Sequence, residues 1–256
     1  MMKRILAIAQ NTFRETLRDR ILWSALVVML ALIAFSLFIG SISIEQDTRM
    51  IIDFGLTSIY LLQMFVAIFI GSMLMYKDVE RRTFFLIIPK PIRRAEIILG
   101  KCAGLTGTTI AVTALSTLTL FGILYLKGIH DAYLPILVSV FLSLLESVIL
   151  ILLSILLSGL TSPILAAVYT IAFFLIGHSS NILRTLIETQ SGALSGFFLK
   201  VAYYAMPNLE KFNIRNDVVY AAIPDAHGIF ATLLYTLAYA IFLFLLARFM
   251  FEKKEF

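Results

Sequence analysis

The stretch Tyr76–Lys101, YKDVERRTFFLIIPKPIRRAEIILGK, decides how this chain is arranged. From Lys77 onward it carries seven cations (Lys77, Arg81, Arg82, Lys90, Arg93, Arg94, Lys101) and three acids (Asp78, Glu80, Glu96). A charged side chain at the centre of a bilayer costs kilocalories, so ten of them cannot lie in hydrocarbon. A short connection this rich in Lys and Arg is held on the cytoplasmic side of a membrane. Long apolar runs flank it, so it reads as a loop between two membrane spans.

Composition agrees. Of 256 residues, 60% are hydrophobic and 14% charged, where soluble domains carry about 25% charged residues. The apolar residues gather in runs long enough to cross about 30 Å of hydrocarbon as helices. The expected fold is an all-α polytopic membrane protein with six transmembrane helices in a single transmembrane domain, 1–256. Its parts are an amphipathic arm (1–20), spans near 21–40, 54–76, 102–126, 134–158, 162–180 and 228–250, the cytoplasmic loop 77–101 and an external loop 181–227.

Cation placement tests the count. With both termini cytoplasmic, fifteen of the twenty-one Lys and Arg residues fall inside: five on the arm, seven on the loop and three on the tail. Five spans would put the basic tail outside, against the usual bias. The expected location is the cell membrane. The net charge of +5 sits at membrane flanks, where it suits anionic lipid headgroups rather than nucleic acid.

The arm has Ile5, Ala9, Phe13 and Leu17 on one helical stripe, with Lys3, Arg4, Arg14 and Arg18 mostly off it. Such a helix is expected on the inner membrane surface, apolar face in the acyl boundary. No cleavable leader is expected, because the first apolar run is too long and lacks a small-x-small cleavage site. In the external loop, Leu194, Phe197, Phe198, Val201 and Tyr204 recur at helical spacing before Pro207 and the polar NLEKFNIRND run. One or two short helices on, or dipping into, the outer leaflet are expected there, with Tyr203, Tyr204 and Tyr220 in the aromatic belt.

Several chemistries are unsupported. The one cysteine, Cys102, allows no intramolecular disulfide and no multi-cysteine metal site. His130, His178 and His227 show no metal-ligand spacing, so no metal is expected. His178 beside Ser179 and Ser180 lacks a nucleophile motif and an obvious acidic partner, which argues against a protease. IILGKCAG is not a phosphate loop: Ala95 stands where the first glycine belongs, and Cys102 where Ser or Thr would hold magnesium. The chain is expected to be no ATPase.

Within the loop, Tyr76, Val79, Thr83, Phe84, Ile87 and Ile88 share one helical side. Pro89 and Pro91 stop that helix, and a second can begin near Ile92 and run into the third span. A solvated topology loop and a force-transmitting element are both compatible with this pattern. Inside the spans, Glu146 lies mid-membrane, either as a proton or substrate contact or as a structural group bonded to neighbouring helices, with Ser143 and Ser147 nearby. Gln63 is similarly ambiguous. Thr106, Thr108, Thr109, Thr113, Ser116, Thr117 and Thr119, with Gly104 and Gly107, give the third span a small, hydroxylated face suited to close packing. Glu146, Gln63, Thr109 and Thr113 are the translocation-path candidates.

Glu80–Lys101 resembles the cytoplasmic loop of ABC-2 type transporter permeases, in which an acidic–basic–x–Thr start leads through an apolar stretch to Pro–x–x–Arg, Glu and Gly-Lys. Glu80, Arg81 and Thr83 match the start, and Pro91, Arg94, Glu96, Gly100 and Lys101 the remainder. Arg82 stands where the family often has glycine. The six-span plan, arm and long last external loop resemble the family across the chain, and the copper-maturation permease of nitrous oxide reductase resembles it too. The resemblance implies a type V-like exporter transmembrane domain with an N-terminal elbow helix. It implies an ATPase-coupling helix bearing Asp78, Glu80, Arg81, Arg82, Thr83 and Phe84, followed by a turn and re-entry at Pro89, Pro91, Arg94, Glu96, Gly100 and Lys101. The implied partners are a cytosolic ATPase dimer that binds ATP and Mg, a second permease copy and membrane lipids. This chain itself would hold no cofactor. The other readings are a non-transporting membrane scaffold and an ion-coupled carrier with Glu146 as its proton site.

Overall fold

The computed structural model describes residues 2–42, 47–74, 94–189, 200, 203, 206–219 and 225–253. Among these the elements are helical, and no strand occurs. In chain order they are α1 (Met2–Leu17), α2 (Arg20–Ile42), α3 (Asp47–Phe65), α4 (Arg94–Leu126), α5 (Tyr133–Ser158), α6 (Pro163–His178), α7 (Ser180–Thr189), α8 (Arg215–Val219) and α9 (Ala226–Lys253). A π turn, Val66–Ile70, continues α3 to Leu74. Five of these helices are long and apolar enough to cross a membrane; α6 and α7, bent by 61° at Ser179, make six if they form one span.

Helix boundaries depart from the expected spans in instructive places. The second span begins at Asp47 rather than near 54, because an acid in the first turn complements the positive helix N-terminus. The third begins at Arg94, with Glu96 in its first turn. At about 1.5 Å per residue its 33 residues extend roughly 50 Å, well beyond the hydrocarbon. The expected rigid turn therefore ends by Arg94, and Glu96, Gly100 and Lys101 are helical. Gly128, at φ +73°, supplies the left-handed residue that ends α4.

One end of the bundle gathers the chain's two extremities. Arg94 of α4 donates to the Phe251 carbonyl of α9. Lys101 Nζ, buried, donates to the Leu74 carbonyl at 2.9 Å, placing a cation on the C-terminus of the second span. The α5–α6 turn meets the same place, since a Cβ at Gly159 would overlap the Phe251 ring. Helix α1 lies along the start of α4. A Cβ at Gly100 would come within 2.6 Å of Ile8, and one at Gly104 within 2.6 Å of the Ala9 carbonyl oxygen. Phe13 covers Gly107. The arm's apolar stripe is thus engaged by α4 instead of lying wholly in the acyl boundary, because at Gly100, Gly104 and Gly107 no side chain keeps it away. Asp19 caps α2 through the Ile21 amide, and the Trp23 indole donates to the Leu17 carbonyl, fixing the elbow between α1 and α2.

The other end contains the last long connection. Its NLEKFNIRND run, polar in composition, packs into the bundle: Leu209, Phe212 and Ile214 are buried, as is Val218 just after it. Leu209 N donates to the Gly177 carbonyl, and Asn208 N to the Tyr235 hydroxyl. The expected helix around Leu194–Tyr204 lies outside the described residues, apart from Tyr203 and Lys200.

Candidate functional site

The buried apolar residues form two clusters. One includes Tyr60, Leu62, Val112 and Ile149 and extends toward the α1 end. The other includes Ile59, Leu120 and Leu142 and extends away from it. The boundary between them falls between residues 59 and 60 on α3, 112 and 120 on α4, and 142 and 149 on α5. Polar residues fill this boundary: Thr113, Ser116 and Thr117 on α4, and Ser143, Glu146 and Ser147 on α5, all buried.

Helix register brings Gln63, Thr113 and Glu146 to one level. A Cβ at Gly71 would lie 2.2 Å from Ser154 Oγ and 3.4 Å from Leu105 Cδ2, so α3, α4 and α5 meet there. Each of Gln63, Thr113 and Glu146 stands eight residues from that point on its own helix, roughly 12 Å along the axis and in the same direction. Thr109 sits one turn closer to the α1 end and bonds the Leu105 carbonyl. The sequence-predicted path residues therefore divide: Gln63, Thr113 and Glu146 share a level with unpartnered buried polar atoms, whereas Thr109 bonds its own helix.

Glu146 is fully buried. Tyr60 Oη donates to its Oε1 at 2.9 Å and lies 3.1 Å from His178 Nε2. His178 Nε2 is 3.6 Å from the same Oε1. The guanidinium of Arg215, carried inward by α8, stacks on the Tyr60 ring with Cζ 3.9 Å from its centroid, a cation–π contact. Arg215 Nε also donates to Asn213 Oδ1. Ser143 and Ser147, expected beside Glu146, instead donate to the Val140 and Leu144 carbonyls of their own helix. Hydroxyls in apolar helices commonly turn back in this way.

His178 does have an acidic neighbour, contrary to the expectation from sequence. The neighbour lies thirty-two positions earlier, on the preceding helix. Ser179 and Ser180 nonetheless bond the Leu175 and Gly177 carbonyls rather than the histidine.

The layer retains unused polar capacity. Among the described residues, both amide atoms of Gln63, the hydroxyls of Thr113 and Thr117, and Glu146 Oε2 are buried with no hydrogen-bond partner. Elsewhere on α4, the hydroxyls of Thr108, Thr109, Ser116 and Thr119 all donate to the carbonyl four residues back. Buried polar atoms normally find partners, and those that do not call for a ligand or ordered water. The π turn begins three residues after Gln63, an interruption of helical register that is frequent at functional sites.

Comparisons with protein-family models and with curated proteins give no match. The site stands on its geometry. Among the described residues no group of three His, Cys, Asp or Glu side chains is placed to hold a metal ion. Of the loop residues singled out by sequence, Asp78, Glu80, Arg81, Arg82, Thr83, Phe84, Pro89 and Pro91 lie outside the described residues. Sequence reasoning missed Tyr60 and Arg215. Tyr60 is three residues before Gln63 and so near its helical face, a usable signal; Arg215 had none, because its loop gave no sign of folding inward.

Proposed function

We propose that this chain is the permease subunit of an ATP-binding cassette transporter of the ABC-2 type, an exporter powered by a separate ATPase. It would sit in the cell membrane with both termini cytoplasmic, beside a second permease copy. ATP and magnesium would be bound by the ATPase dimer and not by this chain.

The observation that carries the reading is the base of α4. The basic loop runs directly into a single helix of 33 residues whose first three turns are fastened to three others. Arg94 ties it to α9, Lys101 to the end of α3, and Gly100 and Gly104 to α1. A push on the loop by a cytosolic motor would reach all four helices at once. The buried layer of Gln63, Thr113 and Glu146 lies on three helices at one level, where relative movement of α3 and α4 would open or close it. Exposed Phe35, Phe38, Leu237, Ile241, Phe242 and Leu245 on α2 and α9 offer surface to lipid or to the second copy.

Affinity purification from native membranes tests the reading. The expected result is recovery of an ATPase with a phosphate-loop motif, and its loss on Glu80→Ala together with Arg81→Ala. Absence of any ATPase, with both variants indistinguishable from the parent, would overturn it.

A further inference from the structure

The contacts around Tyr60 restrict where hydrogens can sit. His178 Nδ1 lies 3.2 Å from the Phe174 carbonyl. A carbonyl only accepts, so Nδ1 carries a hydrogen and Nε2 faces Tyr60. The Tyr60 hydroxyl has one hydrogen and two neighbours, Glu146 Oε1 and His178 Nε2. Two arrangements satisfy every contact. In the first, Tyr60 donates to ionised Glu146 and accepts from the Nε2–H of doubly protonated His178. In the second, protonated Glu146 donates to Tyr60, which donates to the bare Nε2 of neutral His178. Both arrangements hold the same hydrogens and neither has a net charge.

We propose that Glu146, Tyr60 and His178 form a proton relay that passes one shared proton between the α6–α7 hinge and the buried polar layer. Transfer inward breaks the Nε2–H bond of His178 as an O–H bond forms on Tyr60. The original Tyr60 O–H breaks as an O–H bond forms on Glu146 Oε1. Tyrosine ends as it began, and the ion pair becomes two neutral groups. Outward transfer is the reverse.

Placement fits this direction of traffic. The His178 side chain is 18% exposed, whereas that of Glu146 is closed off completely. The second carboxyl oxygen of Glu146, Oε2, is buried with no partner among the described residues. The charged groups acting on the relay are Arg215, on the Tyr60 ring, and Glu210, at longer range; α4 faces the layer with the Thr113 and Thr117 hydroxyls. The inference concerns this chain alone and does not depend on an ATPase partner.

Infrared difference spectroscopy of the purified protein in lipid nanodiscs, with isotope-labelled histidine and titrated in pH, tests it. Glu146→Gln and His178→Gln assign the protonated-carboxyl stretch and the imidazole bands. In the parent protein the two sets should change together. Tyr60→Phe, which keeps the ring under Arg215, should split the shared transition into two separate steps, because at 3.6 Å His178 and Glu146 exchange no hydrogen bond directly. The proposal is overturned if the bands titrate independently in the parent, or if Tyr60→Phe leaves them moving together. Should either assigning variant misfold, labelled tyrosine compared with Tyr60→Phe decides the question alone: a relay requires a tyrosine O–H band that moves with the carboxyl stretch, and an unmoving band refutes it.

Discussion

Two stretches of α4, roughly three turns apart, use small residues for opposite ends. Between Gly100 and Gly107 the small residues are accounted for by distance, because α1 occupies the space their side chains would take. At Thr113 and Thr117 the side chains are just as buried, yet their hydroxyls bond to nothing among the described residues. The seam is therefore a structural joint, while the layer holds buried polar atoms without partners among the described residues. Burial alone does not distinguish them; satisfaction of the polar atoms does.

The largest effect should come from closing the seam. Gly104→Leu forces a side chain against the Ala9 backbone, which cannot yield as a side-chain tip would. We expect α1 to leave α4 and stability to fall by about 3 kcal/mol or more, read as a lowered melting temperature and protease cleavage after Leu17. Lys101→Met comes next. It leaves the buried Leu74 carbonyl without its donor, at a cost of about 1–3 kcal/mol in the same melting assay.

The layer should respond in another way. Glu146→Gln keeps an oxygen for the Tyr60 hydroxyl, so stability should change by no more than about 1 kcal/mol, while the ATP turnover that the proposed permease role requires should be lost. Unaltered turnover at every pH would make Glu146 structural. The smallest change is expected for Thr113→Val, which removes a hydroxyl without a partner among the described residues and should shift stability by about 0.5 kcal/mol or less. Thr109→Val, which surrenders a bond to the Leu105 carbonyl, should cost more; equal costs would erase the distinction between the two positions.

Much of the scaffold was legible in the sequence. Runs of apolar residues gave the spans, whereas of the expected loop 77–101 the described part, Arg94–Lys101, is helical and the rest lies outside the described residues. Glu146 and Gln63 stood out because a polar group in hydrocarbon demands a reason. Tyr60 did not, since tyrosine is ordinary in an apolar helix until its hydroxyl is given an address. Arg215 was hidden more deeply. Its segment reads as a polar external loop, and only tertiary packing of Leu209, Phe212, Ile214 and Val218 carries the guanidinium inward. The glycines of α4 announced close packing without naming α1 as the neighbour, because a seam between helices far apart in sequence is not encoded at either one.

Access to the polar layer tests the central claim most directly. Cys102 is the one cysteine, so Cys102→Ala gives a background in which Thr113→Cys is the sole thiol. In native membranes, a small water-soluble thiol reagent should label this cysteine from one face without ATP and from the other during ATP turnover. Protection from both faces under every condition would contradict a transport path through the layer.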